Sequence, residues 1–158
     1  MRLLAIDPGA HSLGWASFQD GLLMSAGWAG DQTPSAIARL KPFQRPTDLI
    51  VVEVPQVYVA RSGAPPGDLV DVAVMAGLVI GLAVSKGAEI VQTPRPAEWK
   101  GQVPKAVLHS RLWSLLSAVE EASLRADLSA VATSKRHNVL DAVGIGLWAL
   151  RRMERGGK

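Results

Sequence analysis

The segment at residues 3 to 18 reads LLAIDPGAHSLGWASF, in which a short apolar run ends in a carboxylate and a second apolar run follows Gly14. Short apolar runs bounded by turn residues are typical of buried strands. Asp-Pro-Gly is also ordinary turn chemistry, in which the aspartate caps the turn and the proline presets φ. Asp7 is therefore either a turn residue or a functional acid at the end of a strand.

Length and composition narrow the class of protein. A chain of 158 residues fits one domain with its own core, so we expect a single domain over 1–155 and a short tail at 156–158. Because there is no cysteine, disulfides, thiolate nucleophiles and zinc–thiolate sites are excluded, and residues 1–6 are too short an apolar run for a signal peptide. We therefore expect a cytoplasmic protein. The net charge of +3 suits an anionic partner.

The apolar pattern predicts an α/β fold with element order βββαβαβαα. Strands at 2–6, 13–18 and 22–28 suit an antiparallel meander, with Asp20-Gly21 as the clearest hairpin signal. The run DLIVVEV at 48–54 is typical of a central strand covered on both faces. The other segments are predicted as helices at 34–41, 68–85, 104 to the 120s and 137–154, and a strand at 88–93.

Two further acids interrupt apolar segments. Glu53 lies near the end of DLIVVEV, and if the first and central strands are neighbours, Asp7 and Glu53 project from one edge of the sheet. Asp141 lies in SKRHNVLDAVGIGLWAL at 134–150, where helical geometry places His137 and Asn138 on the same face. The alternative for this helix is capping, with Asn138 as N-cap and Asp141 as a residue favoured by the helix dipole.

Converging carboxylates in a chain without cysteine suit hard cations such as Mg²⁺ or Mn²⁺. Two such ions ~3.5–4 Å apart activate a water and stabilise the leaving oxygen in phosphoryl chemistry. The sequence contains neither the Gly-x-Ser-x-Gly of serine hydrolases nor the phosphate loop of P-loop enzymes. These residues predict phosphoryl chemistry at a site with two metal ions, which needs no protein nucleophile and no nucleotide cofactor.

Four segments resemble, in order and spacing, the signature blocks of RuvC-type Holliday junction resolvases: IDPGAHSLGWA, VVEVPQVYVARSG, WKGQVPKAVLHSRLWSLL and HNVLDAVGIGLWAL. The resemblance implies a ribonuclease H-like fold, with a central mixed five-stranded sheet flanked by helices. It also implies a homodimer that resolves four-way or branched DNA by paired symmetric nicks, with Mg²⁺ as cofactor and Mn²⁺ as a substitute.

The resemblance also assigns the metal site. Asp7, Glu53 and Asp141 match the family's first-strand, central-strand and C-terminal helix acids. The fourth family ligand, an Asp or His three residues before the last acid, falls on Asn138, and His137 lies one residue earlier. We favour His137 as ligand or base, because a neutral imidazole is good at both. Coordination by the Asn138 carbonyl oxygen is the alternative.

DNA contacts are implied at several basic and aromatic positions. Lys100 and Lys105 match family lysines near the scissile phosphate, and Lys105 joins the predicted catalytic set. Tyr58 resembles the aromatic residue that stacks at the junction centre, although it lies two residues further from Glu53 than is usual. Three arginines flank the motifs as candidate phosphate contacts, each with a solvated face as its alternative: Arg61, Arg95 and Arg136.

The tryptophans divide into two groups by their surroundings. Trp15, Trp113 and Trp148 fall within apolar patterns and are predicted as core residues, whereas Trp99, in PAEWKG, is a candidate DNA contact.

The helix predicted at 68–85 is apolar around most of its circumference, with Gly77 and Gly81 allowing close approach. The run LVDVAVMAGLVIGLAV at 69–84 is shorter than the ~20 residues of a membrane span and contains Asp71, so a buried helix is favoured. The resemblance places a dimer contact on the corresponding helix.

Other functions stay open at this point. YqgF-type nucleases share the first motif and the short length. A junction-binding architectural protein that has lost a ligand is the non-catalytic alternative, and Asn138 argues for it. Actin-like ATPases share a similar first motif but need a second subdomain, for which this chain has no room. Divalent-metal-dependent nicking separates these possibilities.

Overall fold

The computed structural model describes residues 1–30, 33–56 and 66–155. The strands are β1 (Arg2–Pro8), β2 (Leu13–Gln19), β3 (Leu22–Ala29), β4 (Leu49–Val52) and β5 (Ile90–Gln92). The helices are α1 (Pro34–Arg39), α2 (Pro66–Ser85), α3 (Pro96–Trp99), α4 (Lys105–Leu115), α5 (Ala118–Ser129), α6 (Arg136–Ala149) and α7 (Arg152–Arg155). Two 3₁₀ segments lie at Lys41–Gln44 and Thr133–Lys135.

The five strands form one mixed sheet in the order β3-β2-β1-β4-β5. β1, β2 and β3 pair antiparallel, as the predicted meander requires, and β4 and β5 extend the sheet in parallel pairing beside β1. At the β2–β3 turn, Asp20 and Gly21 have φ of 51° and 85°, the positive values that a tight hairpin turn demands. The predicted α/β class and five-stranded mixed sheet are confirmed.

Apolar side chains cover both faces of the sheet. One face packs against α4, α5 and α6, and the other packs against α1 and α2. β4 is buried at all four of its positions, which agrees with the prediction of a central strand. The site described below lies where β1 and β4 end, beside α6.

Two helices were predicted longer than they are. The segment from 104 to the 120s is two helices, because Ser117 and Glu120 form a reciprocal capping box that begins α5. The segment at 137–154 is also interrupted, since α6 ends at Ala149 and Arg151 takes a left-handed φ of 55° before α7. Such a conformation is unfavourable inside a helix for any residue with a side chain.

Among the residues that the structure describes, only one face of α2 is buried. Met75 and Val79 are among the residues packed towards the sheet, whereas Val70 and Val74 are 61% and 66% exposed. By length and composition alone, residues 67–85 would suffice to cross a membrane, and 22% of that window is buried. The predicted burial therefore holds for one face, and the opposite face of α2 is apolar and uncovered.

Candidate active site

Asp7 lies inside β1 and not in a turn. It pairs with Gly14 of β2, and the chain reverses only beyond it, where the Gly9 N–H donates to the Ser12 carbonyl at 2.7 Å. The turn interpretation of Asp7 is therefore wrong. The strand itself fixes the position of this acid.

Glu53 follows β4 and comes next to Asp7. The parallel register pairs Ile6 with Val52, and the Glu53 N–H donates to the Ile6 carbonyl at 3.1 Å. One further residue along each strand brings the two acids side by side. The predicted neighbourhood of the two strands is confirmed.

α6 brings Asp141 to the same end of the sheet. A Cβ on Gly14 would lie 2.1 Å from the Asn138 carbonyl oxygen, so the absence of a side chain at position 14 allows α6 to approach β2 this closely. The helix begins at Arg136 with Lys135 as N-cap, which leaves Asp141 beyond the first turn. The capping interpretation of Asn138 and Asp141 is therefore wrong.

Two of the three acids receive nitrogen donors. Asp141 has the Lys105 Nζ at 2.5 Å from Oδ2 and the His109 Nε2 at 2.7 Å from Oδ1. Glu53 accepts a hydrogen bond from the Trp99 Nε1 at Oε2, and the Lys100 Nζ lies 3.6 Å from the same oxygen. Within the described ranges, the Asp7 carboxylate receives no hydrogen bond or ion pair.

Burial and the neighbouring acids raise the pKa of Asp7 and of Glu53. Burial, followed by the charges of Asp141 and Glu53, raises the pKa of Asp7 well above its usual value. Burial also raises the pKa of Glu53, against the opposing effects of the Lys100 charge and the hydrogen bond from Trp99. The negative charge of the site is therefore only partly compensated.

Asp141 is the acid that its partners keep ionised. Its side chain is 6% exposed. Burial acts to raise its pKa, but the hydrogen bonds from His109 and Lys105 outweigh burial and lower the pKa below its usual value. α4 thus supplies both partners of Asp141 from positions one helical turn apart.

His137 and Asn138 differ in their surroundings. His137 is exposed, and burial of the ring together with the Lys105 charge lowers its pKa, which favours the neutral imidazole. Asn138 is half-buried, with its Nδ2 3.5 Å from the Ser12 Oγ. Coordination by either residue stays a prediction.

The predicted DNA contacts have mixed placements. Lys100 and Lys105 lie on the acids, as described, and the Arg136 Nε donates to the Val131 carbonyl at 3.1 Å, which ties this arginine to its own loop. Tyr58 and Arg61 lie outside the described residues. Contact with DNA stays a prediction for all of these residues and for Arg95.

Trp99 is a buried residue, and its prediction as a surface DNA contact is wrong. It is 3% exposed, and a Cβ on Gly144 would lie 2.7 Å from its ring, so α6 packs directly on the indole. Three other tryptophans are partly buried and pack against the core, in agreement with their predicted role: Trp15, Trp113 and Trp148.

Sequence reasoning missed His109 and the role of Trp99. A signal for His109 was present, because it follows Lys105 by four residues and so shares its helix face. No comparable signal marked Trp99, whose burial depends on the space that Gly144 leaves on a distant helix.

The donor set fits a divalent metal by its chemistry. In residues 1–30, 33–56 and 66–155, no three histidine, aspartate or glutamate side chains are already arranged around one metal position. Three carboxylates nevertheless supply the oxygen ligands that Mg²⁺ prefers, and the raised pKa of Asp7 reflects charge that a cation would compensate. Asp7, Glu53 and Asp141 are the residues that would hold it.

Comparison with known proteins identifies the fold of this chain. No protein-family model and no curated protein sequence matches the chain. Among solved structures, RuvC of Thermus thermophilus is 18% identical, with 98% of this chain and 97% of that chain covered and a TM-score of 0.56. This chain has the RuvC fold.

Two other structures are similar to this chain. The yeast mitochondrial Holliday junction resolvase is 15% identical, with 98% of this chain and 79% of that chain covered and a TM-score of 0.54. T. thermophilus RuvC in complex with Holliday junction substrate is 17% identical over 99% of this chain and 97% of that chain, with a TM-score of 0.46. The RuvC fold confirms the ribonuclease H-like architecture that the four sequence blocks implied.

Proposed function

We propose that this protein is a structure-specific DNA endonuclease that resolves four-way junctions by two symmetric nicks. One observation carries the proposal: Asp7, Glu53 and Asp141 meet at one end of the sheet, and Lys100 and Lys105 lie against two of them. An anionic cluster edged by lysines suits a phosphodiester held together with divalent cations. The RuvC fold is consistent with this chemistry.

Hydrolysis requires a water oxygen to bond to phosphorus while a bond to one sugar oxygen breaks. Mg²⁺ or Mn²⁺, with two ions in each site, would supply an activated water and stabilise the leaving oxygen. His137, in its neutral form, would accept the proton of the water. Lys100 and Lys105 are close enough to the acids to contact the phosphate that is bound beside them.

A homodimer is part of the proposal. A twofold dimer presents two identical sites in opposite orientations, which matches the symmetry of a four-way junction. The uncovered face of α2 supports this: Val70, Val74 and Val84 are exposed, and a Cβ on Gly77 or Gly81 would meet no atom within 4 Å. Packing against the described residues therefore does not require these glycines. A second copy would cover an exposed apolar face.

Lysines and arginines near the site would hold DNA through phosphate contacts, which carry no sequence information. Junction affinity is therefore expected to fall steeply as salt concentration rises. We place this activity in the cytoplasm, on branched DNA.

The direct test uses a synthetic immobile junction beside linear duplexes of the same arms, with each strand labelled in turn. We expect paired nicks in the junction with Mg²⁺ or Mn²⁺, and binding with little cleavage in Ca²⁺, which is larger and looser in coordination. Glu53→Gln should bind the junction without cutting it. Glu121→Gln, an exposed change on α5, is the control and should cut normally.

The possible results separate the candidate functions. Equal cutting of junction and duplex would indicate a more general nuclease, as in the YqgF-like alternative. A chain that binds junctions but never cuts them with either metal would be a non-catalytic junction-binding protein. The presence of Asn138 at the position of the fourth ligand is the observation that favours this second candidate.

A further inference from the structure

We infer that Trp99 and His109 are positioning residues of the metal site, each fixing one carboxylate by a single N–H donor. The inference rests on the proposed function, because it assigns these residues a role toward the metal. Neither residue is among the acids and the fourth-ligand position that the sequence resemblance implied, so the inference adds two residues to the site.

Trp99 holds Glu53 from a rigid position. The indole Nε1 donates to Oε2, and the ring is buried beneath α6, where Gly144 leaves room for it. Because the Lys100 Nζ also approaches Oε2, neither donor contacts the Glu53 Oε1. The indole therefore turns the carboxylate so that one oxygen stays open.

His109 plays the corresponding part for Asp141. Its Nε2 lies 2.7 Å from Oδ1, and because the ionised carboxylate only accepts, the Nε2 atom carries the hydrogen. Lys105 contacts the other oxygen, Oδ2. Because His109 occupies Oδ1, a cation would bind Asp141 through Oδ2, the oxygen that Lys105 contacts in this structure.

The two kinds of donor differ in charge. An ammonium repels an approaching divalent cation, so Lys105, which contacts the Asp141 oxygen that remains for the metal, has to leave that oxygen when a metal binds. The indole N–H carries no charge and can keep its hydrogen bond to Glu53, and His109 contacts the Asp141 oxygen that Lys105 leaves free. Outer partners of this kind orient metal ligands, and their loss typically costs ~10–100-fold in metal affinity or activity.

Matched variants test this inference. Trp99→Phe keeps an aromatic ring beneath Gly144 and removes the N–H, His109→Ala removes the donor, and His109→Gln restores an amide donor at similar reach. Titration calorimetry with Mg²⁺ should show ~10–100-fold weaker binding for Trp99→Phe and His109→Ala, and a partial return for His109→Gln. Trp113→Phe is the control, because Trp113 packs against the core and Arg125 and should leave Mg²⁺ affinity unchanged.

A purely structural role would change other quantities. It would lower the melting temperature of both test variants. The Mg²⁺ affinity of the folded fraction and the metal concentration needed for half-maximal cutting would both stay unchanged. That result would overturn the inference. If Trp99→Phe does not fold, the Mg²⁺ affinities of His109→Ala and His109→Gln still test the inference. If the wild-type protein binds Mg²⁺ but does not cut, the proposed function is contradicted. The positioning role of Trp99 and His109 would then still be tested by the Mg²⁺ affinities of the variants. A wild-type protein that does not bind Mg²⁺ overturns both.

Discussion

Asp7 is the acid whose charge the rest of the protein compensates least. Neither lysine contacts it directly, and it faces two other carboxylates at the end of the sheet. Its raised pKa means that the folded protein holds the acid proton more tightly than the unfolded chain does. In the absence of metal, the ionised form of Asp7 therefore destabilises the fold at neutral pH.

Asp7→Asn should stabilise the metal-free protein at pH 7. Between the unfolded pKa and the higher folded pKa, the folded state binds more protons, so stability falls as pH rises through this range. The asparagine variant lacks this loss, and each kcal/mol it recovers raises the melting temperature by roughly 2–4 °C. Thermal unfolding in EDTA should show the gain at pH 7 and little difference near pH 3, where both states of the wild type are protonated. Equal melting temperatures at pH 7 would contradict the prediction.

A comparison of His137→Ala with Asn138→Ala tests which of these two neighbouring residues acts at the proposed metal site. If His137 is the ligand or base, His137→Ala should reduce the rate of junction cleavage by ~10²–10⁴, and Asn138→Ala should reduce it much less. Single-turnover rates at saturating Mg²⁺ measure the difference. The reverse ranking would assign the role to Asn138, and two small effects would remove both residues from the chemistry.

Glu120 joins three elements of the fold. Its carboxylate receives Arg152 from α7 at 2.6 Å, the Leu23 N–H from β3 at 2.8 Å and the Ser117 cap of α5. Burial opposes the charge of Glu120, but the hydrogen bonds from Arg152 and the two backbone N–H groups lower its pKa from 4.5 to about 2. This ion pair stabilises the packing of the C-terminal helices against β3.

Glu120→Gln should lower the free energy of unfolding by roughly 3 kcal/mol at pH 7, because it leaves the half-buried Arg152 without its charge partner. Glu121→Gln, which breaks the exposed pair with Arg125 on the same helix, should cost less than ~1 kcal/mol. Urea unfolding measures both. The contribution of Glu120 is present above pH 4.5 and is lost as pH falls toward about 2, so the wild type and Glu120→Gln should converge in acid. Similar costs for the two variants at pH 7 would refute the assignment.

The presence of each helix and strand was more predictable from the sequence than the residues at which it begins and ends. The meander, β4 and the approach of Glu53 to Asp7 follow from apolar runs and turn residues, which are local signals. The break between α4 and α5 also has a local signal, the capping pair Ser117 and Glu120. The apolar residues on both sides of this pair suggested one continuous helix instead. The contact of Trp99 with Glu53 was not predictable, because it depends on how closely a helix 40 residues later in the chain packs.

At the scale of the whole molecule, the uncovered face of α2 predicts how the protein associates. Val74→Glu places a charge in the middle of that face and should convert a dimer into a monomer without unfolding the chain. Val119→Glu is the control, because Val119 is 80% exposed on α5, away from α2. Sedimentation velocity at micromolar concentration measures the change, and circular dichroism checks the fold.

The same variant bears on cleavage. If the proposed dimer makes paired nicks, a Val74→Glu monomer, which has one site, should leave single nicks instead. A wild-type protein that sediments only as a monomer would contradict the dimer, and a Val74→Glu protein that remains a dimer would place the interface elsewhere.

The distance along the chain between Asp7 and Asp141 has a consequence during synthesis. Asp7 is in β1, and Asp141 is in α6, which follows β1 by more than 120 residues and ends at Ala149. A nascent chain therefore cannot assemble the three acids until translation has passed α6 and the helix has cleared the exit tunnel. Until then, the sheet face that α6 covers stays open, and a prematurely terminated product lacks a complete acidic cluster. The acidic cluster is thus complete only once α6 has packed against the sheet.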